Sequence, residues 1–123
     1  MKRLQSANIV LSKLSGSPSQ TLELFALVNL GLIQSLASGV LTPTEAISRF
    51  YHAENCLYVK SHYRQKEAQD IMSRGVQLAD LFESLSPEEA QREFYRELEI
   101  MRSTCLRILG KGRPRRDPHR AAA

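Results

Sequence analysis

Apolar and polar residues alternate along this chain with a helical period from residue 18 to residue 109, and nowhere with the period of two that marks a half-buried strand. Three tetrapeptides punctuate the pattern: Ser17-Pro18-Ser19-Gln20, Thr42-Pro43-Thr44-Glu45 and Ser86-Pro87-Glu88-Glu89. Each combines a hydroxyl that accepts from an orphan amide with Gln or Glu three residues on, which reaches back toward the cap. Proline sits at the first helical position of each, where its missing N–H has no partner to lose.

These starts predict four main helices. The first covers about 18–38 and is apolar on nearly every side, with Leu22, Leu24, Phe25, Leu27, Val28, Leu30, Leu32, Ile33 and Leu36; Asn29 is the one clear polar exception. Gly39 ends it in the left-handed conformation that glycine tolerates. The second begins at Pro43, with Ile47, Phe50, Tyr51, Leu57 and Tyr58 on one side. A break near 60–64 lets a third helix, about 64–85, fold back with a stripe at Ala68, Ile71, Met72, Gly75, Leu78, Ala79 and Phe82. The fourth covers about 87–109 and places Ala90, Phe94, Leu98, Met101, Cys105 and Ile108 on one face, with Gly110 closing it. Ile9, Val10, Leu11 and Leu14 add a short packing segment. The expectation is an all-α bundle in one domain, residues 1–110, followed by a disordered basic tail, residues 111–123.

Composition fits that picture. The chain has 123 residues, 42% hydrophobic and 24% charged, ordinary for a single soluble domain. Its net charge of +4 lies in the tail, since the acidic and basic residues before position 111 cancel. Lys111, Arg113, Arg115, Arg116 and Arg120 therefore offer salt-dependent, sequence-independent contact with nucleic-acid phosphates, the second functional reading of this chain. Residues 22–41 have roughly the length of a membrane span. They carry Glu23, Asn29, Gln34, Ser35 and Ser38, so no membrane is expected. Cys56 and Cys105 read as reduced thiols of a cytosolic protein.

No catalytic signature emerges, and no cofactor is implied. His52 and Cys56 lie four apart with Glu54 between them, which is half of a metal site and the third reading, a small metal-dependent protein. Carboxylate pairs at Asp80/Glu83 and Glu88/Glu89 have no apolar surroundings implied to raise a pKa. Gly31, Ser35 and Gly39 form a row without bulk, flanked by Leu27, Leu32 and Leu36, where a second helix can approach closely. A helix this apolar is central in its bundle or covered by another subunit, so the row serves either tight packing inside the monomer or an interface; the leading expectation is a non-catalytic interaction protein that forms a homodimer through it. Its role is that of an adaptor, a regulator or a toxin-neutralising partner for another, unidentified protein.

Overall fold

The computed structural model describes residues 8–111, and among these all regular structure is helical, with no strand. A 3-10 turn at Leu11–Lys13 precedes α1 (Pro18–Ala37), α2 (Pro43–Arg49), α3 (Ala53–His62), α4 (Lys66–Ser84) and α5 (Pro87–Lys111). The all-α bundle expected from the periodicity is therefore present. Ser17 and Thr42 make full capping boxes: each hydroxyl accepts from the amide of the third residue on, Gln20 or Glu45, whose side chain accepts from the cap's own N–H. Ser86 Oγ accepts from the Glu89 amide at 3.3 Å and donates to the Glu89 carboxylate at 3.1 Å. Gly39 has φ +81°, the left-handed end foreseen for α1.

Two boundaries differ from expectation. The second predicted helix is two helices, because the chain turns at Phe50–His52: the Phe50 and Tyr51 amides both donate to Ala46 O, and His52 is extended. The turn buries two consecutive aromatic rings, Phe50 and Tyr51, which a straight helix would have aimed about 100° apart. The second difference is that α5 continues through Gly110 to Lys111. The proposed tail otherwise lies outside the described residues.

α4 and α5 form an antiparallel hairpin across Leu85 and Ser86, and α5 packs along both α4 and α1. Asn29 on α1 is level with Tyr51, which lies close to Cys105 of α5. Eight residues further along α1, the Ala37 carbonyl accepts from the Tyr95 hydroxyl at 3.2 Å. α1 and α5 thus run antiparallel. Phe25, Ala26, Asn29, Ile33 and Leu36 point into the core, where they meet Phe50, Tyr51, Ile71, Leu78, Met101 and Cys105.

Tyr51 is the pin of this core. Its hydroxyl donates to Asn29 Oδ1 at 2.6 Å, and Asn29 Nδ2 donates to the Phe25 carbonyl at 2.9 Å. The one polar residue in the middle of α1 is thereby satisfied in full burial. The Tyr51 ring lies against the backbone of α4 at Gly75, where an added Cβ would stand 2.5 Å from Tyr51 Cδ1. Gly75 is needed for that close approach.

Candidate functional site

The residues singled out for chemistry are held in structural roles. His52 is the N-cap of α3 rather than a helix-surface residue. Its Nδ1 accepts from the Asn55 amide at 3.4 Å, so Nε2 carries the proton and donates to the Ile9 carbonyl at 3.3 Å. Cys56 Sγ donates to the Tyr51 carbonyl at 3.7 Å, and Glu54 is exposed at the start of α3. The structure does not bring His52, Glu54 and Cys56 together, and among the described residues no three His, Cys, Asp or Glu side chains converge as a metal would need. Burial raises the Cys56 thiol and pushes Cys105 up to about 12, so neither is a thiolate at neutral pH. Within the nucleic-acid reading, Arg113, Arg115, Arg116 and Arg120 lie outside the described residues, and nothing is described of the Lys111 side chain.

Asn55 carries a role the sequence did not announce. Fully buried, it accepts from the Leu11 amide at 3.0 Å and donates to the carbonyls of Ile9 at 2.7 Å and Phe50 at 2.8 Å. It ties the N-terminal segment to the α2–α3 turn. The only signal in the sequence is a short polar residue three positions after a His, which is too common to single out.

What the molecule offers to others is surface. On α1, the side turned away from the core carries Leu24, 42% exposed, and Leu27, 48% exposed, with half-buried Val28 beside them. Gly31 continues this face, and a Cβ placed there would meet nothing within 4 Å. Half-buried Ser35 extends the face toward Gly39, where open space again surrounds the glycine. The bulkless row is thus not spent on packing inside the monomer. Of its expected flanks, Leu27 faces outward and Leu32 is half-buried, whereas Leu36 is 2% exposed and belongs to the core. Leu36 lies about 100° around the helix from Ser35 and about 140° from Gly31, so α1 turns it inward beside Ile33.

α1 is also long and apolar enough to cross a membrane by length and composition. Here one side of it packs in the bundle, chiefly against α5, with Asn29 bonded to Tyr51 across the core.

A second exposed apolar group lies where α4 turns into α5. Phe82 stacks edge-on against Phe94 at 5.3 Å, and Phe94 against Tyr95 at 5.3 Å. Phe82, expected in the core stripe of α4, is 44% exposed, because α4 ends at Ser84 and no element among the described residues covers this corner. Leu57, expected on the buried side of the second helix, is outside as well, since the turn at Phe50–His52 resets the helical phase.

Among protein families, the model of one described as Protein of unknown function (DUF3969) matches residues 17–120 of this chain. No curated protein and no solved structure matches.

Proposed function

Because the chain belongs to the DUF3969 family, whose role is undefined, we propose a function from its own surface: a small, non-catalytic helical interaction protein that pairs with a second copy of itself. The single observation that carries this reading is the outer face of α1. Leu24, Leu27 and Val28 lead into Gly31 and Ser35, an apolar stripe with no bulk at its centre and open space above Gly31. A helix face of this kind accepts another helix at close range, and a two-fold axis through Gly31 lets the same stripe serve both partners. Free thiols suit a reducing, cytosolic setting, and burial that raises both Cys56 and Cys105 makes them poor nucleophiles, which favours binding over catalysis.

Sedimentation of the whole protein tests the reading. The wild type is expected to run above its 13.9 kDa monomer mass, and Gly31→Leu to fall toward it with helicity intact. In a monomer a Cβ at 31 meets nothing within 4 Å and Gly31→Leu gains helix propensity of about 0.8 kcal/mol, so its melting temperature would rise with no change of mass. A wild type that stays at 13.9 kDa at high concentration ends the proposal.

A further inference from the structure

At the start of α4, the chain assembles cations from two separate parts of the sequence around one open cleft. Arg64 and Lys66 flank the first turn of α4, and Arg107 comes from the last third of α5. All three are exposed and make no ion pair with another described residue. Arg107 is held in place: its guanidinium donates to Thr104 Oγ1 at 3.4 Å, and that buried hydroxyl donates in turn to the Ile100 carbonyl at 2.7 Å. Two carboxylates share the cleft and would oppose an anion. Asp70 is paired with Arg74, whose Nε lies 2.9 Å from it while its Nη1 bonds Glu97 at 2.7 Å, and Glu67 has an interaction partner of its own. The positive end of the α4 backbone faces the same region, and the Gln65 side chain does not cap it.

We propose that this cleft binds a compact, multiply phosphorylated small molecule. Two guanidinium groups and an ammonium converging from different elements match the several charges and oxygen forks of linked phosphates. The cleft measures about 660 Å³, in the range of small-molecule sites and far more than one phosphate fills. Among the described residues its lining contains no aromatic ring on which a nucleobase would stack, and no large aliphatic side chain. Recognition therefore rests on the phosphates rather than on the group that carries them. This inference is independent of the α1 pairing, since none of its residues lies on α1.

Titration of the full-length protein with sodium tripolyphosphate at fixed ionic strength, followed by calorimetry and by amide NMR, tests the assignment. Saturable binding is expected, with the Lys66 and Glu67 amides moving on titration. The double substitution Arg64→Gln with Arg107→Gln should weaken it by about tenfold or more, as loss of charge-assisted contacts does. Both side chains are exposed, so the melting temperature of that variant should match the wild type. Arg115→Gln with Arg116→Gln serves as the control for non-specific attraction to basic residues, and it should retain most of the affinity. Absence of saturation, unmoved amides at 66–67, or an equal loss in the control would overturn the site.

Discussion

Tyr51 and Gly75 form a contact in which one hydrogen atom decides what fits. An alanine at 75 would place its Cβ 2.5 Å from the Tyr51 ring, so either the ring leaves its slot or α4 moves back. Gly75→Ala is expected to cost about 1–3 kcal/mol despite the better helix propensity of alanine. In a Tyr51→Ala background most of that cost should vanish; denaturant titration of the double-mutant cycle reads the coupling, and additive losses would refute it. The same buried corner sets an alkaline limit. Burial keeps the Cys105 thiol protonated up to about 12 and holds the Tyr51 phenol well above its ordinary range, with Cys105 nearby adding to the rise. In the unfolded chain these groups ionise near their ordinary values of 9.0 and 10.0. Above those values the unfolded state binds fewer protons than the native one, so stability falls as pH rises. Each group contributes a slope of about 1.4 kcal/mol per pH unit once its unfolded form is ionised. Urea melts between pH 8 and about 11 should show the decline, and Cys105→Ala should flatten its first part.

Among the elements, α3 depends most on a single side chain. Asn55 bonds to Ile9, Leu11 and Phe50, so Asn55→Ala leaves a buried amide and a buried carbonyl without partners. A loss of about 2–3 kcal/mol is expected, with hydrogen exchange of the Leu11 amide accelerated more than that of α5 amides. Unchanged protection at Leu11 would show that the N-terminal segment is held by its apolar contacts instead. The elements themselves were largely legible: three boxes of hydroxyl, proline and Gln or Glu mark the starts of α1, α2 and α5 to the residue, because local chemistry alone fixes a cap. The α2–α3 turn was not legible. It exists to bury Phe50 and Tyr51 against α1 and α4, a demand set by residues distant in sequence, and its cap is a histidine rather than Ser, Thr or Asp. For the same reason Leu57 and Phe82 read as core, and the α1 row could be named from Gly31, Ser35 and Gly39 while Leu36 on its flank was assigned to the wrong side.

For the molecule as a whole, the decisive pairing is α1 with α5, the first and last of its long helices. α4 and α5 are joined directly, and Arg74 ties them by donating to Glu97 at 2.7 Å as well as to Asp70. α1, by contrast, finds its main partner at the far end of the chain. A chain ending at Leu85 would keep α1 to α4 in sequence, yet it should show no cooperative thermal transition, because Phe25, Asn29 and Ile33 would lose the wall supplied by Met101 and Cys105. A sharp melt of that fragment would contradict the assignment of α5 as the closing element. The pairing also has a cost in time. A ribosome adding about 5–20 residues per second needs roughly 4–15 s to travel from the end of α1 to the end of α5. Throughout that interval the most apolar helix of the protein has been made and its partner has not. Nascent chains crowded on one messenger would meet through those waiting α1 faces first, so slow initiation or a chaperone at the exit tunnel should raise the yield of folded protein more than any change to its finished surface.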